Sequence, residues 1–301
     1  MAPKNKSSGS GKSDRHAGLE GVNFVRVFKA FLVVCALGAV VGGIIYLDKL
    51  VKQNILAPWQ NVPLEVVGIP AWVNDALKER LVAAAMADGK GIRIDEEAAG
   101  RVRQNIEAVF PWLEQVRVRT LHDRLRIEGR WRRPVALVKL GLERFYVDRH
   151  LVVLGYVPLD GLPIVEVRGL AVLPDRPVPG QPWQREDLAA AVELLTLLGK
   201  CDAERTPGKP LLGEIAAIDV SNYEGRANKG FPHIVLYTTD DTEVIWGAEV
   251  GRWQRHLEAT DAEKLAKLYA YYEENGSLLG EVKYINLRDP QDRIHLPIDR
   301  Y

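Results

Sequence analysis

The spacing of apolar and polar positions changes several times along the chain, and each change marks out a part of it. Residues 30–47 (AFLVVCALGAVVGGIIYL) form a run of eighteen without a charge. As a helix rising about 1.5 Å per residue the run would reach roughly 27 Å, close to the ~30 Å of a bilayer's hydrocarbon core. Val27 and Phe28 extend it if Lys29 snorkels toward the headgroups. A cleaved signal peptide has an apolar region of ~7–15 residues and then a small-residue cleavage site. Here the run is longer and is followed by DKLVKQN. The pattern predicts one uncleaved transmembrane helix over residues 27–48.

Beyond it the pattern becomes that of a folded α+β protein. Residues 62–70 (VPLEVVGIP) read as a short strand closed by Gly68 and Pro70. Val73, Leu77, Leu81 and Ala84 or Ala85 then recur at helical spacing. A second helix is expected from Asp95, with Ala98, Val102, Ile106 and Val109 as its stripe and Pro111 as its stop. The period next becomes two. Val116 and Val118 alternate with Arg117 and Arg119, and Leu125, Ile127, Gly129 and Trp131 with charged residues, which predicts a hairpin. Strand–helix–helix–strand–strand is thus expected over residues 60–134.

Residues 135–301 read as a mixed C-terminal β-domain with flanking helices. Strands are expected in ALVKL, RFYVD and LVVL after residue 135, and at 214–220, 233–239 and 242–246. Helices are expected at 186–198 and 262–274, with Leu265, Leu268, Tyr269 and Tyr272 buried on the second. Residues 281–288 and 292–296 read as a terminal hairpin turned at Asp289-Pro290. The prolines at 174, 177, 179 and 182 mark a stiff connector.

Charge fixes the expected orientation. The chain carries 40 Lys+Arg and 40 Asp+Glu, which argues against a nucleic-acid partner. Residues 1–29 hold six basic and two acidic side chains, and beyond the apolar run only Lys49 and Lys52 precede Lys78. Cytoplasmic flanks are enriched in Lys and Arg, so residues 1–26 are expected to be a disordered basic cytoplasmic tail with the bulk of the chain across the membrane. Gly38 and Gly42 form a GxxxG within the span, which reads as ordinary small-residue content.

Catalytic chemistry is not legible. The six histidines show no metal-ligand spacing with one another, with Cys or with Glu, and no metal or other cofactor is expected. No nucleophile elbow, phosphate loop or HExxH occurs, so neither an enzyme nor a small-molecule substrate is expected. Asp240, Asp241 and Glu243 read as turn acids. Cys35 falls in the span and Cys201 outside it, so they cannot pair; Cys201 reads as a buried free thiol. The strongest charge feature is seven arginines between 117 and 133. Of these Arg117, Arg119, Arg126 and Arg130 are candidate contacts for an anionic surface.

Together these residues resemble the FtsQ/DivIB bacterial cell-division proteins, whose module outside the membrane is a POTRA domain. The run 111–137 (PWLEQVRVRTLHDRLRIEGRWRRPVAL) is similar to the family's Pro-Trp, alternating strand, Leu-x-Ile strand and Arg-x-Pro-x-Ala ending. Phe145-Tyr146-Val147-Asp148 with Val152-Val153-Leu154 resembles its Tyr-x-Asp followed by an apolar strand. Leu162-Pro163 resembles its Leu-Pro turn, and Tyr284-Ile285-Asn286-Leu287-Arg288 its terminal strand. Asn286 replaces the usual Asp, and Gly129 interrupts the second hairpin strand.

The resemblance implies a non-enzymatic, single-pass scaffold of the division machinery in the inner membrane at the septum. It implies partners such as the small bitopic proteins FtsB and FtsL, received partly by strand addition. By position, Tyr284, Asn286, Arg288, Asp289 and Arg293 are the candidate partner-binding residues. Two alternatives are a POTRA-bearing secretion or envelope-assembly chaperone subunit and a membrane-tethered envelope enzyme. The first would carry a large barrel and the second clustered catalytic groups, and the sequence offers neither.

Overall fold

A computed structural model describes residues 41–42, 63–88, 97–171, 176–280 and 282–290. Residues 1–57 and 58–301 form separate compact units. In the first unit only Val41 and Gly42 are described, and both are helical. The expected tail, the rest of the expected span, Cys35, Gly38, Asp95, Arg293 and the 292–296 strand lie outside the described residues. Among the described residues no helix is long and apolar enough to cross a membrane.

The second unit is mixed α+β and contains two sheets. Its first part runs β1 (Leu64–Val66), α1 (Asp75–Ala85), α2 (Ala98–Val109), β2 (Leu113–Thr120) and β3 (Leu125–Trp131). Strand order is β1-β3-β2, with β1 parallel and β2 antiparallel to the central β3. The Asn74 side chain caps α1 by accepting from Leu77 N at 3.1 Å, satisfying one of the N–H groups a helix start leaves bare. Leu77, Leu81 and Ala84 form its buried face, and Ala98, Val102 and Ile106 that of α2. Both helices and the sheet share a core with Leu125 and Ile127.

Gly129 sits where that sheet is tightest. The β2–β3 register shifts between Glu114 and Arg117, with Gln115 at φ 55°. A Cβ on Gly129 would lie 2.7 Å from Leu113 Cγ and 3.1 Å from the Glu114 carbonyl oxygen. The glycine that breaks the alternation is the residue that lets the bulged strand approach.

The second part builds an eight-stranded sheet. Its strands are β4 (Pro134–Leu140), β5 (Glu143–Asp148), β6 (Val153–Gly155), β7 (Val165–Arg168), β8 (Ile215–Asp219), β9 (Ile234–Thr238), β10 (Glu243–Gly247) and β11 (Tyr284–Asn286). They lie in the order β11-β10-β9-β8-β7-β4-β5-β6. Helices α3 (Glu186–Arg205) and α4 (Asp261–Asn275) supply Leu188, Val192, Leu195, Leu198, Leu268 and Tyr269 to its core. Helix α4 starts on a capping box between Thr260 and Glu263 and ends at Gly276 with φ 69°. The sequence pattern missed β7 and stopped α3 seven residues early. The helix continues to Arg205 because Asp202, buried, accepts from Leu211 N, Leu212 N and the Tyr269 hydroxyl, which ties its last turn to the core.

The two sheets are not separated by a linker. Tyr146, Val152, Leu154 and Val157 of the second part pack into the core of the first. Trp112 and Tyr146 meet edge-on at 5.9 Å, and the Tyr146 hydroxyl donates to Val157 O at 3.0 Å. Beside them Arg132 pairs with the buried Asp148 at 2.9 Å. Asp148 also accepts from His150 N and Val152 N, closing the β5–β6 turn.

Two glycine substitutions separate packing from helix propensity. Gly129→Ala forces a shift in a closed site and is expected to cost about 1–3 kcal/mol. Gly100→Ala, on exposed helical backbone with nothing within 4 Å, is expected to stabilise by up to about 1 kcal/mol. Urea unfolding of the two variants measures both signs.

Candidate partner interface at the sheet edge

Among the described residues strand β11 closes one end of the eight-stranded sheet and runs parallel to β10; residues 292–296, the second arm of the expected hairpin, lie outside the described residues. Tyr284, Ile285 and Asn286 lie opposite Glu243, Val244 and Ile245. Ile285 is buried, whereas Tyr284 and Asn286 are half-buried. Two bonds fix the direction of the main chain. Glu243 N donates to Lys283 O at 3.1 Å, and Leu287 N donates to Ile245 O at 3.0 Å. In a parallel ladder alternate residues face the neighbour, so Lys283, Ile285 and Leu287 address β10. The N–H and C=O groups of Tyr284 and Asn286 therefore point away from the sheet, and no strand pairs with them among the described residues. This is an edge template two residues deep.

What holds this short edge is a buried carboxylate. Glu258, with a side chain 4% exposed, accepts from Lys264 Nζ at 2.7 Å and from Arg288 Nε at 2.8 Å. It also accepts from Ala248 N at 2.9 Å. Lys264 is fully buried, and its ammonium lies 5.1 Å from the centre of the Trp246 ring. Ala259 N donates to Arg288 O at 2.8 Å, so both the side chain and the main chain of Arg288 are tied to this centre. Burial works to raise the Glu258 carboxyl, but the Lys264 ammonium, Ala248 N–H and Arg288 guanidinium together hold it below the usual carboxylate range. Gly247, at φ 99°, leaves the room: a Cβ there would fall 2.2 Å from Glu258 Oε2.

The candidate residues consequently differ in kind. Tyr284 and Asn286 present main chain outward. Arg288 is a clamp residue, with its side chain about two-thirds covered and engaged by Glu258. The Asn286 side chain accepts from Arg288 N at 3.0 Å and donates to Asp289 at 3.4 Å, holding the turn after the strand. Lys267 Nζ donates to Asp289 O. Tyr284, Asn286, Arg288 and Asp289 are therefore brought together, and Arg293 lies outside the described residues.

The arginine face is less basic than its composition suggests. Arg126 pairs with Glu65 at 3.3 Å, Arg130 with Glu114, and Arg132 with both Glu114 and Asp148. Arg124 pairs with Asp123. Arg117 and Arg119 are exposed and form no ion pair among the described residues. Arg119 faces Arg126 across the strands, so the uncompensated charge gathers at the far end of the hairpin. Cys201 is a half-buried free thiol on α3, pushed up first by burial and then by Glu204.

Sequence reasoning missed two groups. Lys264 and Glu258 carry the clamp but drew no reading from the sequence, because a buried ion pair leaves no periodic signal. His233, Glu249 and His256 lie far apart in sequence, yet the β9–β10 ladder and the turn after it bring their ligand atoms within 4.8 Å of one another. No family model matches the chain, and no curated protein shows significant similarity to it.

Removing Lys264 leaves the buried Glu258 carboxylate with only the partly exposed Arg288 as counter-ion, so Lys264→Met is expected to cost up to about 3–5 kcal/mol in urea unfolding. The depressed Glu258 carboxyl adds stability that is complete above its unfolded value, about 4.3, and disappears as pH falls through the lower folded value. Glu258→Gln should be the less stable protein at pH 7, and the gap to the wild type should narrow as the pH is lowered.

Proposed function

We propose that this chain is a membrane-anchored, non-enzymatic scaffold of the bacterial division machinery. It is held in the inner membrane by one helix over residues 27–48, with its N-terminus in the cytoplasm and its bulk outside. It recruits and links septal proteins by direct contact, and one of those contacts is addition of a partner strand to β11. Its partners are small bitopic proteins of the FtsB/FtsL kind.

The observation that carries this reading is the outward-facing main chain of Tyr284 and Asn286 on a strand locked in place from behind by Glu258. A strand added there gains main-chain hydrogen bonds without displacing any pair among the described residues, and the clamp means little ordering entropy is lost on binding. Two further features support it. The uncharged run of residues 30–47 matches a membrane span in length. The β1-α1-α2-β2-β3 unit with strand order β1-β3-β2 has the element order of a POTRA domain, the module of the family that the sequence resembles. Arg117 and Arg119, toward the turn end of the hairpin, are the candidate contacts for anionic headgroups.

Asn286→Pro removes one outward N–H and leaves the bonds from Lys283, Ile285 and Leu287 to β10 in place, since proline is tolerated on the open side of an edge strand. In growing cells the wild-type fusion should gather at midcell and co-purify with small bitopic proteins. Measured against Asn286→Ala, which loses the same side-chain bonds to Arg288 N and Asp289 but keeps the N–H, the proline variant should lose at least about tenfold in partner affinity, equivalent to ~1.4 kcal/mol, at a similar thermal midpoint. Uniform distribution around the envelope with no bitopic partner would overturn the proposal.

A further inference from the structure

His233, Glu249 and His256 form the only group of three or more His, Cys, Asp or Glu among the described residues whose ligand atoms lie close enough to share an ion. His233 precedes β9, Glu249 follows β10, and His256 ends the short helical turn Trp253–His256. His233 Nδ1 is 2.9 Å from Glu249 Oε1, and both side chains are about 95% buried. The ring of His256 stands edge-on to that of His233 with centres 4.6 Å apart, and His256 is exposed.

The surroundings fix these groups. His233 N donates to Gly247 O at 3.2 Å, and Glu224 N donates to Glu249 Oε1 at 3.0 Å. Glu224 itself sits at φ 53° and pairs with Arg252 at 3.1 Å, which fastens the 221–232 loop to the turn carrying His256. Leu257, at φ 55° and 87% exposed, ends that turn in a left-handed conformation unusual for a branched residue. Gly225 lies against His233 Nε2, where a Cβ would come within 3.3 Å. The loop backbone thus abuts one ring nitrogen while the other faces the carboxylate.

We propose that His233, Glu249 and His256 bind one divalent transition-metal ion of the zinc type. Two imidazoles and one carboxylate suit that class of ion, whereas magnesium and calcium prefer all-oxygen sites. Two buried ligands and one exposed one form a site that is pre-organised on the protein side and open toward solvent, as three-ligand zinc sites are. A bound ion would join the start of β9, the chain leaving β10 and the turn before Glu258 into one cross-linked unit.

The full-length, tag-free protein in mild detergent, stripped with chelator and dialysed, tests this. Titration with Co²⁺ should give visible absorption bands that saturate at one equivalent and vanish on addition of Zn²⁺. Zn²⁺ should raise the thermal midpoint. Loss of a residue that merely hydrogen-bonds a metal ligand costs roughly 10–100-fold in metal affinity, so loss of a direct ligand in His256→Asn should cost at least about 100-fold. Because His256 is exposed, that variant should keep the metal-free midpoint of the wild type. His150→Asn, on an unrelated turn, should bind as the wild type does. Absence of bound metal, saturation only at millimolar Zn²⁺, or undiminished binding by His256→Asn would each overturn the proposal.

Discussion

The carboxylate of Glu258 is the constraint on which the C-terminal end of the fold depends. A buried charge is tolerated only when it is paired and fully hydrogen-bonded, and Glu258 meets Lys264, Arg288 and Ala248 N–H at once. Each partner belongs to a different segment: Lys264 to α4, Arg288 to the chain after β11, and Ala248 to the chain leaving β10. One side chain therefore fixes where the last described strand ends, where the last described helix begins, and the course of residues 247–258. Gly247 is part of the same device, because any side chain there would occupy the space of the carboxylate.

Such a centre explains how a strand of three residues can hold an edge. Three residues of parallel ladder provide few hydrogen bonds, and short parallel pairing is weak by itself. Ile285 and Leu287 are fully buried in the core on one side of the chain, and Arg288 is locked immediately beyond them. The other side keeps its polar groups aimed outward. At the opposite end, the junction of Arg132, Asp148, Trp112 and Tyr146 joins the two sheets through shared packing. The unit from Pro58 onward thus has ordered contacts from its first described strand to its last.

Much of this was legible in the sequence, for identifiable reasons. The stripe of α1, Ala98, Val102 and Ile106 of α2, the alternation in β2 and β3, and the apolar runs of β4 to β6 follow directly from one-sided burial, whereas Val109, expected on the α2 stripe, is exposed at the last position of the helix. Strand β7 was missed because VEVR is only four residues long and follows a Gly-Leu-Pro turn. The terminal hairpin was expected from turn chemistry at Asp289-Pro290, and its second arm, 292–296, lies outside the described residues; the parallel pairing of β11 with β10 was not read from the sequence. Tyr284 and Asn286 were named by their position in the terminal strand that the family resemblance implies; the direction of their main-chain groups comes from the parallel register with β10. Arg288 was read as a surface contact, since sequence does not record that Glu258 is buried thirty residues away. The His233–Glu249–His256 group was invisible for the same reason: it is assembled by strand register, not by local spacing.

Among the described residues no strand pairs with the main chain of Tyr284 and Asn286, while Ile285 and Leu287 are bound to β10. Residue-resolved amide hydrogen exchange tests it most directly, first on the protein alone and then with small bitopic partner added. In the free protein the Ile285 and Leu287 amides should be protected and those of Tyr284 and Asn286 should exchange rapidly; the partner should protect the latter pair. Protection of Tyr284 and Asn286 already present in the free protein, or no change in their exchange when partner is bound, would contradict the account.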